Sequence, residues 1–411
     1  MTTYKKLLKK TGKILVGALL AFLTFFCCIT EALADKDDIL NFIVSSSYTH
    51  DSNLFRLPTN VNPSVAGAER SDNILRNFVG ISIDKPYSLQ RFQFDYAYID
   101  TKYDNASFLD FKASNYKGSW LWALTPSLTG VLSADRVVEL VPFQDLRSGN
   151  NAQSRNVRTK QTQIFNFDFS PHNTLHLIGG YNKLNVKNSQ IFLPETSFKL
   201  DSTEVGLKYV FPSASYLSFV TRKSDGQNQE TNFSQQIGKK FEERQQVLSL
   251  FWLATGKTRI LSNLGYIDRV DNSFSIRDYS GFIGDVNFMW DITGKTNLSI
   301  GISRRLSSFQ TADNSYYVAD SLFFNPTWYA TSKITVKANA QVGQRIFKGN
   351  GPLPSVINRE DTRFSYGVGA DWTPRSTFKF GVNLQHDEIS SNLKSQESSD
   401  NTISLSGRLL F

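Results

Sequence analysis

The stretch RFQFDYAYID, Arg91 to Asp100, changes character at every step. Successive side chains of an extended strand point to opposite faces. Phe92, Phe94, Tyr96 and Tyr98 therefore share one face, and Arg91, Gln93, Asp95 and Ala97 share the other. The same pattern recurs down the chain. TEVGLKYVF sets Val205, Leu207, Tyr209 and Phe211 against Glu204 and Lys208. RFSYGVGADW sets Phe364, Tyr366, Val368, Ala370 and Trp372 against Arg363, Ser365 and Asp371. FKFGVNLQHD sets Phe378, Phe380, Val382 and Leu384 against Lys379, Asn383 and Gln385, and residues 333–345 set Ile334, Val336 and Val342 against Lys337, Gln341 and Arg345. These runs reach about ten residues, the length of a membrane-crossing strand and longer than a typical soluble one.

The connectors alternate as regularly as the side chains. Short turns fall at Pro86, Pro126, Pro171, Pro212, Gly256, Gly294, Ser332 and Pro374, in tight-turn chemistry, and TGKT occurs twice among them. Between them lie long polar segments at roughly 51–72, 104–110, 141–155, 187–196, 224–240, 271–275, 310–315, 348–360 and 390–398. The period is one hairpin plus one loop. Eight short turns and nine long loops join 18 strands, and an even number lets both termini lie on the short-turn side. The expected fold is all-β: a transmembrane antiparallel up-and-down barrel of about 18 strands, with 16 as the alternative. Its short turns are periplasmic and its long loops extracellular, which implies the bacterial outer membrane. The last strand, NTISLSGRLLF, ends in Phe411, an aromatic terminus that resembles the assembly signal of outer-membrane barrels as a class.

Residues 1–34 read as a cleaved secretory signal peptide, leaving 35–411 as a single barrel domain. Lys5, Lys6, Lys9, Lys10 and Lys13 precede an apolar run from Ile14 to Ile29, followed by Ala32-Leu33-Ala34. Cleavage removes Cys27 and Cys28, so disulfides, thiol catalysis and cysteine metal sites drop out. The formal charge of +8 halves once five lysines and Glu31 are gone, so a nucleic-acid partner loses its support. The abundance of Phe (32) and Tyr (16) suits a barrel exposing aromatics to lipid. Trp120, Trp122, Trp252, Trp290, Trp328 and Trp372, mostly near short turns, suit an aromatic girdle at the periplasmic interface.

The polar parity supplies the lumen: Arg91, Asp95, Asp168, Glu204, Lys208, Asp285, Lys337, Arg345, Arg363, Asp371, Lys379, Asp387 and Arg408, of both signs. No catalytic residue and no metal or cofactor site is read from the chain. There is no HExxH, nucleophile elbow or phosphate loop. The cluster of His386 with Asp387 and Glu388 splits between two faces on a strand. DSNLF and DNSFSIRD offer oxygens but not EF-hand spacing.

YTHDSNLFRLP, Tyr48 to Pro58, resembles the opening segment of a family of bacterial outer-membrane barrels. With DKPYSLQRFQFDYAYID, FLDFKASNYKGSWLWALTP, RDYSGFIGDVNFMWDITGKTNLSIG and SYYVADSLFFNPTW, the chain resembles the EpsL family of exopolysaccharide operons associated with exosortase B and PEP-CTERM systems. Ser52 stands where that family often has a second acid. The resemblance implies a role in exopolysaccharide biosynthesis or export and carries over no site residues. The expected function is a passive pore for the polymer. The alternatives are a non-conducting polysaccharide-anchoring barrel, a general porin, or a polysaccharide hydrolase at the barrel rim. Expected partners are outer-membrane lipid and lipopolysaccharide, the polymer, the outer-membrane assembly machinery and other export proteins. In the first loop, Asp51 and Asn53 are expected to cap the strand end. Leu54 and Phe55 would pin the loop to the rim, and Arg56 would face water or lipopolysaccharide phosphate.

Overall fold

The computed structural model describes residues 38–63, 68–143, 154–190, 197–228, 240–308, 316–349 and 358–411. The expected signal peptide at 1–34 and parts of several long loops lie outside these residues. The strands are β1 (Leu40–Asp51), β2 (Asp72–Tyr87), β3 (Gln90–Tyr103), β4 (Phe111–Thr125), β5 (Leu128–Leu140) and β6 (Val157–Phe169). Then come β7 (Leu175–Asn188), β8 (Phe198–Val210), β9 (Tyr216–Asn228), β10 (Lys240–Thr255), β11 (Thr258–Asp271) and β12 (Tyr279–Thr293). The remainder are β13 (Thr296–Ser308), β14 (Tyr316–Tyr329), β15 (Ile334–Lys348), β16 (Glu360–Arg375), β17 (Phe378–Ser391) and β18 (Ser398–Leu410).

Each strand pairs antiparallel with its sequence neighbours, and β1 pairs with β18, so one 18-stranded sheet closes on itself. Closure satisfies the edge backbone groups that lipid cannot. Phe411 completes the seam: its N–H donates to the Phe42 carbonyl at 2.9 Å, and the two rings stack 6.0 Å apart.

Short-turn chemistry is legible in the sequence. In both TGKT turns the threonine hydroxyl accepts the lysine N–H, Lys257 to Thr255 and Lys295 to Thr293, each at 3.1 Å. Thr331 accepts from Lys333 in the same way. Two turns close just past the proline that marks them, within DKPYSLQ and TPRST. Pro86 and Pro374 lie in the last residues of β2 and β16, and the β2–β3 turn itself is Ser88-Leu89, with Ser88 at φ 52°. A proline at a strand end costs little because no ladder bond is required there.

The aromatic parity is exposed as the alternation predicts, with Phe94, Val205, Tyr366 and Leu384 each well over a third exposed. Trp120, Trp252, Trp290, Trp328 and Trp372 are likewise exposed, whereas Trp122 is buried. Its ring stacks on Phe165 and covers Gly130, which has no side chain to resist it.

Candidate channel mouth and lumen

The loop after β1 folds inward across the barrel mouth. A 200 Å³ cavity is lined together by Asp51, Leu54 and Arg56, by Val141 and Phe143 from the β5–β6 connection, and by Arg363 and Asp387 from β16 and β17. The end of β5 and β16 lie on well-separated parts of the wall, with β17, β18 and β1 to β4 between them. Such residues can meet only along a chord through the lumen. That chord also fixes the facing of every strand, because register carries parity from one neighbour to the next. Asp51 and Arg363 face inward, so Asp95, Lys337 and Asp371 do as well.

Local chemistry holds the loop in place. Asp51 accepts the Asn53 N–H at 2.9 Å. The Asn53 amide, 1% exposed, brackets Leu57: it accepts the Leu57 N–H at 2.9 Å and donates to the Leu57 carbonyl at 2.8 Å. The same amide donates to Ser399 O at 2.9 Å, tying the loop to β18. Arg56 takes a left-handed backbone, φ 55°, and turns its guanidinium inward. The guanidinium donates to both Asp51 oxygens at 2.8 and 2.9 Å and pairs with Asp400 at 3.1 Å. The expectation that Arg56 reaches water or lipopolysaccharide phosphate therefore fails: two buried carboxylates, one from each strand of the closing seam, outcompete solvent. Phe55 is 1% exposed and packs edge-on against Phe143, with ring centroids 4.9 Å apart. Around them Leu54, Leu57, Tyr103, Leu109 and Val141 form an apolar core inside the mouth.

Several residues that hold this mouth carried no signal in the sequence. Arg70 donates to the carbonyls of Leu57, Pro58 and Val61 at 2.7–3.0 Å, fastening the returning limb of the loop. Asp72, also 1% exposed, accepts the N–H groups of Asn73, Asn105 and Ala106. Asp400 and Phe143 become partners only through the closed barrel. An Arg or Asp in a polar loop looks the same in sequence whether it faces solvent or a carbonyl cage.

Below the mouth, the wall carries paired charges rather than one site. Arg91 makes a fork to Asp84 with both bonds at 2.6 Å, and Asp95 accepts from Ser82 at 2.6 Å. Asp168 is held between His176, at 2.6 Å, and Lys208. Glu204 pairs with Arg222 at 2.6 Å, and Arg363 with Asp387 at 2.8 Å. Arg345 lies over the Tyr317 ring, 5.1 Å from its centroid. Lys337 and Lys379 share the Asp371 carboxylate at 2.9 and 3.0 Å, and Arg408 stands directly opposite Lys379 in register. Of the expected lumen residues, Asp168 meets Lys208, Arg363 meets Asp387, and Lys337 and Lys379 converge on Asp371 with Arg408 beside them; Arg91, Asp95, Glu204, Asp285 and Arg345 take partners outside the expected set. The group around Asp371 has three cations to one carboxylate, a local excess of positive charge. His386 pairs with Asn401 at 2.8 Å on the outer parity, while Asp387 faces the lumen, so they form no acid–base pair. Among the described residues no cluster of three or more His, Cys, Asp or Glu is placed to hold a metal.

The family model described as "Putative beta-barrel porin 2" matches residues 255–411. No curated protein matches the chain in sequence. Among solved structures the chain is similar to OpdK from Pseudomonas aeruginosa, a structure determined with vanillate, at 9% identity and a TM-score of 0.51, covering 90% of this chain and 99% of that one. It is similar to OpdQ of the same organism at 10% identity and a TM-score of 0.51, covering 92% and 100%. OccK2 (OpdF), also from Pseudomonas aeruginosa, gives 11% identity and a TM-score of 0.51 over 90% and 98%. At such identities the likeness is one of fold. The chain is an outer-membrane β-barrel of 18 strands whose C-terminal part matches a porin family model.

Proposed function

We propose that this barrel is a passive outer-membrane channel for an exopolysaccharide, with its outer mouth narrowed by the inward-folded first loop. The observation that carries the channel reading is the lumen wall, where polar and charged groups alternate with outward apolar ones over most of the circumference and most lumen charges are already paired. Barrels of 16–18 strands leave an aqueous passage. Transport of a hydrated polymer calls for many weak contacts rather than one tight site. Paired carboxylates and guanidinium groups with remaining lone pairs and N–H groups suit exchange of hydrogen bonds with hydroxyls. The polymer itself is supported by the sequence resemblance to the EpsL family.

A second reading has its own observation. OpdK, similar in fold, was solved with vanillate, so a channel for small solutes is the alternative. Deleting the gene and locating the polymer separates the two. Periplasmic accumulation with unchanged synthesis supports polymer export. Normal secretion together with lost uptake of small solutes replaces it with the solute channel. Asp51→Ala combined with Asn53→Ala, which frees the mouth loop, should alter secretion without abolishing barrel assembly.

A further inference from the structure

The wall is not zipped to the same height everywhere. The β12–β13 ladder runs from Thr293–Thr296 only up to Gly284–Arg304. Above that level Tyr279–Ile283 pair only with β11, and Arg305–Ser308 only with β14. Among the described residues these two facing edges share no ladder. A similar gap above Tyr116–Arg136 in the β4–β5 seam is sealed. There Asn115 accepts the Val138 N–H at 2.8 Å, and Ala113 and Val138 pack into an apolar cluster. Among the described residues the β12–β13 gap has no such filling and is bridged at its top, where the Tyr316 hydroxyl donates to Asp278 O at 3.1 Å and the Tyr279 and Tyr316 rings meet edge-on. Its base is Gly284, where an added Cβ would lie 2.3 Å from Asn263 O.

Space opens on both sides of this gap. Outside, a groove of 660 Å³ runs over Leu264, Phe282, Val286, Ile302, Leu322 and Val342. Inside, a lumen cavity of 640 Å³ is walled by Val186, Phe198, Phe241 and Ile267; its polar side carries Arg158, Lys160 and Arg305 together with Glu139, Asp285 and Glu243, the last neutralised by Arg269 at 3.4 Å. Ile283, Gly284, Asp285 and Arg304 line both spaces. Unpaired strand edges facing lipid are costly, and the apolar part of the cavity wall is a surface on which an apolar chain would be sheltered from water. At the base of the gap the Arg304–Asp320 fork, with bonds of 2.6 and 2.7 Å, faces outward on the same rung as Gln344. That rung is polar where the one below it (Val286, Ile302, Leu322, Val342) is apolar, which places the gap at the outer edge of the hydrocarbon band.

We propose that the β12–β13 gap is a lateral portal through which a single-chain anionic amphiphile passes between the outer leaflet and a lumen binding cavity. The tail would lie along the groove and the apolar cavity wall. The anionic head would meet Arg305 and Lys160, which have no carboxylate partner among the described residues. From Arg304 to Ser308 the slot extends about 13 Å along the strand, room for a slender chain rather than a bulky glycan. The inference does not depend on the polymer reading, since it concerns a different path through the wall.

The test uses the full-length barrel in an uncharged detergent and titrates cis-parinaric acid, an 18-carbon fluorescent carboxylate, with oleate as competitor. Saturable, oleate-displaceable binding is expected. Ile283→Trp, which blocks the slot, should weaken it at least tenfold. Arg305→Gln with Lys160→Gln should weaken the acid about tenfold and leave the methyl ester unaffected. Unchanged electrophoretic heat-modifiability shows that each variant is folded, and the titration of folded variants decides. Binding that never saturates, or that both folded variants retain in full, overturns the proposal. So does a stable dimer that buries the outer groove.

Discussion

Arg56 and Asn53 concentrate the energetics of the mouth. Removing one partner of a buried ion pair costs about 3–5 kcal/mol, because the other charge is left stranded. Arg56→Ala leaves two such carboxylates, Asp51 and Asp400, whose side chains are 6% and 1% exposed. The expected result is a released first loop, seen as a rise in single-channel conductance and faster proteolysis within residues 58–63. Wild-type values for both would show that the ion pairs do not hold the loop. Asn53→Ala removes the donor and acceptor that bracket Leu57, at about 1–3 kcal/mol for the buried groups left unsatisfied. It should lower the midpoint of loop protection in a denaturant series without shifting global unfolding. The sequence placed Asp51 and Asn53 at a strand end. It could not place Arg56, because its partner Asp400 lies at the other end of the chain and is brought near only by closure.

At the scale of the element, the informative strands are those at seams. β18 ends in Phe411, which bonds to and stacks on Phe42 of β1. Removing Phe411 deletes the last rung of the closing ladder, so refolding into lipid should yield far less of the heat-modifiable form. Equal yield from the truncated chain would mean that the last rung is dispensable for closure. Strand existence was legible because period-2 alternation over ten or more residues leaves no helical reading. Turn position was less so at Pro86 and Pro374, since proline marks both turns and strand ends. The height to which neighbours pair was not legible at all. β4–β5 stops at Tyr116–Arg136, above which Asn115 reaches Val138, and β12–β13 stops at Gly284–Arg304; neither limit is encoded in a single strand.

Across the whole molecule, charge distribution sets selectivity. Lys337, Lys379 and Arg408 against Asp371 give the wall near the short turns an excess of positive charge. Such a patch favours anions in a confined aqueous path. Replacing Lys337 and Lys379 by Glu should move the reversal potential in a salt gradient toward cation preference. An unchanged potential would mean that ions do not pass this wall, as in a plugged barrel. The screening of exposed pairs by salt predicts that the contrast shrinks at molar ionic strength.

The sequence by itself determined the barrel, an even strand count of about 18 with 16 as the alternative, and the alternating facing of each strand, because alternation and turn spacing are local; the structure settles the count at 18. The partner of Arg56, the inward fold of the first loop, the convergence of Lys337 and Lys379 on Asp371, and the open β12–β13 edge were decided only by tertiary structure. Each depends on residues far apart in sequence, or on different strands, that become neighbours once the sheet curls shut. The physical reason is that a strand carries its own facing in its pattern, whereas contacts across a lumen exist only after the wall has closed.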